Sequence, residues 1–259
     1  MGQLAAHPQV GNLPKAEEFL RESLAIAQEI HNIRGIRIEM SRLIDILIPL
    51  RKYQEATELL KESEQLNQQA NDRIGMAWDL KHRGQLDQAG GNIQQGDCLI
   101  WHGIHKLRNM EIEDAWLDEF VAVLSRPYPV CTYCSRDKSA DPGEIPAIRR
   151  YKSARIADVY AAAHKLGVGF YILSGEFGLI PPERPIPWYD HLLKAEEVSQ
   201  LVGIVAGQIK QYGIAGLAYF TQPLAQEPNV VPYHDTLAAA CSRTGATFCV
   251  IEMEQPVDG

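Results

Sequence analysis

Long apolar runs are absent from this chain: none approaches the roughly 20 residues a helix needs to cross a bilayer, so no membrane partner is expected. The first residues, MGQLAAHPQVGNLPKAEEF, hold no basic stretch followed by an apolar core, and no secretory leader is read there. A cytoplasmic location is the expectation. Cysteine is scarce and odd in number, five in all, which argues for reduced thiols rather than a disulfide framework. Cys131 and Cys134 have the C-x-x-C spacing of half a metal site or a redox pair, but no second pair completes them, so structural or incidental thiols are the simpler reading and no metal is expected. A Walker loop, a dinucleotide glycine fingerprint and an H-E-x-x-H helix are all missing, and no cofactor is expected.

Positive charge is short as well. The net charge is −8; residues 1–125 carry 13 Lys plus Arg against 19 Asp plus Glu, and residues 126–259 carry 12 against 14. An acidic front half argues against nonspecific duplex binding, which needs clustered cations to release counterions. Recognition of a protein partner is the expectation for it.

What is present is enough chain for two cores, with 46% hydrophobic and 22% charged residues, the balance of a globular protein. The front half repeats. Ala16–Glu39, Ala56–Asp79 and Gly96–Glu119 align without gaps at a spacing of 40 residues. Small residues recur at Ala16, Ala56 and Gly96 and again at Gly35, Gly75 and Ala115, and aliphatic ones at Leu20, Leu60 and Ile100. Small residues where helices approach, and large apolar ones where each pair buries its face on the next, are what a solenoid of antiparallel helix pairs requires. These columns resemble a tetratricopeptide array of the 40-residue kind, which implies a groove for a protein or peptide partner. The segment GNLPKAEEFL already reads as the second helix of a pair. Either an upstream portion is missing or Met1–Leu13 forms an abbreviated cap.

Prolines in Ser125-Arg-Pro-Tyr-Pro129 end the last helix and set the boundary between domains 1–125 and 126–259. Beyond it, apolar strands (YPVCTY, GFYILS, GLAYFTQ, TFCVIEM) alternate with helical stretches (AIRRYKSARIADVYAAAHKLG, KAEEVSQLVGIVAGQIKQYG, YHDTLAAACSRTG). That alternation predicts an α/β domain with a mainly parallel sheet, and with it a crevice outside the carboxyl ends of the strands. The whole chain is thus expected to be α + α/β.

The segment ILSGEFGLIPPERPIPWYD (residues 172–190), together with CSRDK (134–138) and YKSARIADVY (151–160), resembles a bacterial and phage domain family of unknown function with an S-A-K-Y-G-L…Y-D signature. More loosely it resembles the YaaA peroxide-stress family. The resemblance covers about residues 127–252, half the chain, and implies a cleft suited to a nucleotide, a nucleobase or a nucleic-acid end. Glu176 stands where the first family has lysine, and Phe177 replaces a tyrosine.

Candidate site residues follow. Of the cluster Arg136, Lys138, Arg149, Arg150, Lys152 and Arg155, the strand-end turn aims Arg136 and Lys138 at the crevice, whereas Arg149 and Lys152 read as a solvated helix face. Ser174, Gly175 and Glu176 follow a buried strand, where a hydroxyl and backbone N–H groups meet a ligand and glycine permits close approach. Tyr189, Asp190 and His191 form the densest polar group of the loop, and Tyr151 is placed either to stack on a base or to seal the core. Asp190 and Ser174 are the catalytic candidates; Asp190 would activate water or stabilise a glycosyl cation in an N-glycosidic hydrolysis. Against an enzyme stands a non-catalytic scaffold, favoured by Glu176 and the acidic charge.

Overall fold

Turns with one shared backbone device set out the amino-terminal half. The computed structural model describes residues 12–108, 110, 112, 114–126 and 128–253. Among those of the amino-terminal half run six helices: α1 (Leu13–Glu29), α2 (Ile33–Leu47), α3 (Tyr53–Gln69), α4 (Arg73–Ala89), α5 (Ile93–Arg108) and α6 (Asp114–Ala122). Of the expected cap, residues 1–11 lie outside the described residues. Between successive helices, His31, Arg51, Asn71 and Gly91 take φ of 53°, 60°, 50° and 91°. This left-handed residue stops one helix and turns the chain into the next. Asn32 and Asp72 then cap α2 and α4, each side chain accepting an N–H bond of 3.0 Å, from Gly35 and Gly75 respectively. The positive-φ positions recur every 20 residues, so the 40-residue period contains two copies of one helix-plus-turn element.

Small residues let these helices close up. On α4 and α5, Gly84 and Gly96 face one another, and a Cβ on either would strike the other's carbonyl oxygen. Met40, Leu43, Ile44 and Leu47 of α2 build a core with Ala56 and Leu60 of α3. Between α3 and α4, Ser63 and Asn67 both donate to the buried Asp79 at 2.7 Å; burial raises the pKa of that carboxyl against these bonds.

The chain divides into two compact units, Met1–Ser125 and Arg126–Gly259. In the second, β1 (Val130–Tyr133), β3 (Phe170–Ser174), β4 (Gly178–Ile180), β6 (Gly216–Thr221) and β7 (Thr247–Glu252) form a sheet of order β4-β3-β1-β6-β7. The pairs β1–β3, β1–β6 and β6–β7 are parallel, and β4 alone is antiparallel. Every residue of β1 and β6 is buried, as strands covered on both faces must be. A two-residue pair, β2 (Ile145–Pro146) with β5 (Pro185–Ile186), ties the β1 loop to the segment after β4. Helices α8 (Ala154–Lys165), α9 (Val198–Gln211) and α10 (Val231–Thr244) complete the unit.

The helix expected from residue 147 to 167 is broken in two, a single turn α7 (Ala147–Arg150) and then α8. Tyr151 pairs with Lys138 in an isolated bridge, and Ser153 starts α8 by accepting the Ile156 N–H. Arg150 turns inward and is fully buried. Its guanidinium donates to the carbonyls of Ser139, Asp141, Gly143 and Ile186 at 2.6–3.3 Å. This residue holds the β1 loop in place; it is not part of a solvated helix face.

Candidate functional site

From β1 the chain crosses through α8 to β3 on one side, while from β6 it crosses through α10 to β7 on the other. Between two neighbouring strands whose connections diverge, a crevice opens at the carboxyl ends. A cleft of about 720 Å³ lies there. Tyr133, Cys134, Arg136 and Lys138 reach it from the end of β1, Ser153 and Arg155 from the head of α8, Asp190 and His191 from the rim loop, and Gln222, Glu227 and Tyr233 from beyond β6.

Arg155 is the cation that the sequence reading passed over. Its guanidinium stacks on Tyr133 at 3.4 Å from the ring centre. It donates to Thr132 Oγ1 and, at 3.3 Å, to the Cys134 carbonyl. Among the described residues no carboxylate lies within ion-pair distance of it, and burial disfavours its charge. Arg155 is one of the residues that line the cleft. One signal in the sequence was open to reading: Ser153 is a helix cap directly after the first βα connection, which puts Arg155 in the first turn of the crossover helix.

Of the expected residues, Arg136, Lys138, Asp190 and His191 do line the cleft. Lys138 Nζ sits 4.4 Å from the centre of the Tyr189 ring and 5.9 Å from that of Tyr151. Asp190 is exposed on the rim.

Ser174, Gly175, Glu176, Tyr151 and Tyr189 are not among the lining residues. Ser174 is fully buried, and its hydroxyl oxygen accepts the N–H groups of Glu176 and Phe177 at 3.1 Å. The same oxygen lies 2.8 Å from Tyr189 Oη, which lies 2.7 Å from Tyr151 Oη. A hydroxyl accepting two bonds donates its one proton onward, so Ser174 has no capacity left for a nucleophile's work and serves to hold the rim loop. Burial pushes the phenols of Tyr151 and Tyr189 well up, so both stay neutral donors and acceptors. The close approach permitted by Gly175 is that of its own chain: an added Cβ would meet Leu193 Cβ at 3.0 Å and Tyr233 Oη at 3.3 Å. Glu176 faces His191.

His191 itself is held by two carboxylates. Its Nδ1 is 2.8 Å from Glu176 Oε2 and its Nε2 is 3.1 Å from both Glu197 oxygens, so neither ring nitrogen is left for a ligand. Tyr233 belongs to a polar group, Tyr233-His234-Asp235, that sequence reading assigns to helix capping without chemistry; its hydroxyl accepts the Leu193 N–H at 3.3 Å and receives the Cys134 thiol at 3.6 Å.

Cys131 and Cys134 do not form a site. Cys131 Sγ turns to the Thr132 carbonyl, Cys134 Sγ to Tyr233, and burial drives the Cys131 thiol well up. Among the described residues no group of three or more His, Cys, Asp or Glu could hold a metal. The expectation of reduced thiols holds at Cys131, Cys134 and Cys241; it does not extend to Cys98 and Cys249.

Compared with protein-family models, with curated proteins and with solved structures, the chain matches none of them. Function must therefore be argued from the cleft.

Proposed function

We propose that the α/β unit binds a phosphorylated, base-containing small ligand or a nucleic-acid end, and that the helical unit recruits a protein partner. One observation carries the first part: a half-buried arginine with no acidic partner among the described residues, at the head of a helix, in a cleft of ligand size. Arg155 would take phosphate oxygens through its fork at the positive end of the α8 dipole, with Lys138 and Arg136 at the mouth. Tyr133 and Tyr233, with ring centres 5.7 Å apart, form an aromatic part of the cleft wall against which a base would pack.

Binding is better supported than turnover. Ser174 and His191 are both engaged within the fold, which leaves Asp190, of the expected residues, as the acid–base candidate, and among the described residues no side chain is hydrogen-bonded to it to orient it. Hydrolysis of an N-glycosidic bond would rest on that carboxylate. The partner-binding role of the helical unit rests on its resemblance to tetratricopeptide solenoids. It is supported by apolar side chains left in solvent on α1 and at the start of α2, namely Phe19, Ile26, Ile30 and Ile33.

Calorimetric titration of the full chain with adenosine 5′-monophosphate and with adenosine tests the reading. The nucleotide should bind at least about tenfold more tightly, the worth of one charge-assisted contact. Equal affinity for the two, or no binding by either across a panel of bases, would remove the phosphate reading. If nucleotide binds, Asp190→Asn separates the two forms of the proposal: loss of a measurable turnover at unchanged melting temperature makes the protein a hydrolase, and no turnover by either form leaves a binding protein.

A further inference from the structure

His191 bridges three chain segments at one edge of the cleft. It belongs to the rim loop between β5 and α9, Glu176 belongs to the turn between β3 and β4, and Glu197 closes the 3₁₀ turn Ala195–Glu197 that leads into α9. Glu197 also accepts the Lys194 N–H at 2.9 Å, so it is fixed to the head of that helix while it holds the imidazole. On either side of His191 the loop has other anchors: Tyr189 on Ser174, and the Leu193 N–H on Tyr233. Between them, Asp190, His191 and Leu192 form the part of the rim that lines the cleft.

Protonation decides whether this bridge can exist. An imidazolium donates from both nitrogens, one bond to each carboxylate. A neutral imidazole keeps one N–H, and its bare nitrogen then points a lone pair at a carboxylate oxygen about 3 Å away, which is repulsive. The charged groups facing the ring are Glu176 from the turn and Glu197 from the helix head. Asp190 and Lys194 flank it in its own loop, and across the cleft stand Lys138, Arg136, Arg155, Glu227 and the hydroxyl of Tyr233.

We propose that His191 is a proton-operated clasp on the cleft rim, closed as imidazolium between Glu176 and Glu197 and released when the ring loses its proton. The proposal rests on the reading of this cleft as the ligand site, since the rim that it fixes carries Asp190. Hydrogen bonds donated to Glu197, and then to Glu176, raise the pKa of His191 above its ordinary value despite the opposing effect of partial burial. The sign follows: a histidine whose folded pKa is raised favours the closed form fully below about pH 6.5, and that contribution fades as pH rises through the folded pKa. A ligand that arrives below the folded pKa of His191 meets a closed rim; above that pKa it meets a loose one.

Two measurements on the full chain, without ligand, test the clasp. Proton NMR of the imidazole C–H resonances should give His191 a pKa above that of an unperturbed histidine, about 6.5, and Glu176→Gln and Glu197→Gln should each bring it down. Amide exchange of residues 187–194, corrected for intrinsic rates, should show protection about tenfold or more higher near pH 6 than near pH 9 in the wild type. In His191→Gln, which cannot titrate, protection should be low at both. An ordinary pKa, a pKa unmoved by both glutamate substitutions, or a His191→Gln rim that keeps the wild-type pH profile would each overturn the proposal. Because no ligand is used, the clasp can fail while nucleotide binding stands, and can stand while the cleft binds no nucleotide.

Discussion

Cations answer to different partners in the two units. In the helical unit they pair with carboxylates: Arg37 with Asp72, Lys52 and Arg21 with Glu17, Lys81 with Asp45, and Arg83 with Glu64. In the α/β unit, Arg150, Arg155, Lys138 and Arg184 meet backbone carbonyls, a threonine hydroxyl and aromatic faces instead. The units also treat histidine oppositely. Burial, then the charge of Arg108, pushes His105 of α5 down to about 3, whereas paired carboxylates raise His191. Charge in the first unit serves to hold helices together; in the second, Arg150 holds a loop, while Lys138 and Arg155 line a cleft without a carboxylate partner among the described residues. Net charge alone could not have distinguished the two.

The largest effect should come from Arg150→Met, which leaves four carbonyl acceptors around a buried site without their donor. At about 1–3 kcal/mol for each acceptor that stays buried, the α/β unit should lose at least about 3 kcal/mol, measured by urea unfolding with exchange followed over residues 139–146. A loss under about 1 kcal/mol would show that water replaces the guanidinium and that the contrast between the units is superficial.

Next, Gly96→Val should cost about 2–3 kcal/mol, because the added carbons collide with α4 backbone at Gly84. Gly167→Ala, at φ 64° with open space around it, should cost only about 1 kcal/mol. Equal losses in thermal unfolding would mean that α4 and α5 are not held at close approach.

A third expectation separates paired from available charge. Arg155→Gln should weaken nucleotide binding by about tenfold or more, while Arg83→Gln, which breaks only the Glu64 pair of the helical unit, should leave it unchanged. Equal effects on affinity would show that long-range charge, not a built site, governs binding.

The effects of pH, small near neutrality, have opposite signs in the two units. His105 accepts a bond from Arg108 Nε at 3.1 Å and is neutral in the fold. Its folded pKa lies below the unfolded one, so the helical unit should lose stability as pH falls from about 6.5 towards 3, by up to a few kcal/mol at the acid end. His105→Gln should flatten that slope in acid denaturation followed by circular dichroism. The rim of the α/β unit should instead loosen as pH rises.

Much of the architecture was legible in the sequence. Gap-free columns such as Leu20, Leu60 and Ile100 reported helices because a buried stripe repeats wherever identical packing repeats, and continuous apolar strands such as LAYF reported a parallel sheet buried on both faces. The 20-residue sub-period stayed hidden because His31, Arg51, Asn71 and Gly91 share a backbone conformation and not a side chain. In the cleft, Arg136, Lys138 and Asp190 were found because they border strand ends and loops, which local sequence marks. Arg150 and Arg155 were passed over because they sit in a run of cations where only the tertiary fold decides which side chain turns inward, and Ser174 was misread because its partners, Tyr189 and the turn N–H groups, are fixed by loop geometry.

The central claim, that cations of the α/β unit are free to meet a phosphate, is tested most directly by the salt dependence of nucleotide affinity. Titrations with adenosine 5′-monophosphate between about 50 and about 200 mM salt should show affinity falling steeply in the wild type, with a shallower slope in Arg136→Ala and in Lys138→Ala and an unaltered one in Arg83→Ala. One common slope for all four proteins would contradict the account and put the anion elsewhere.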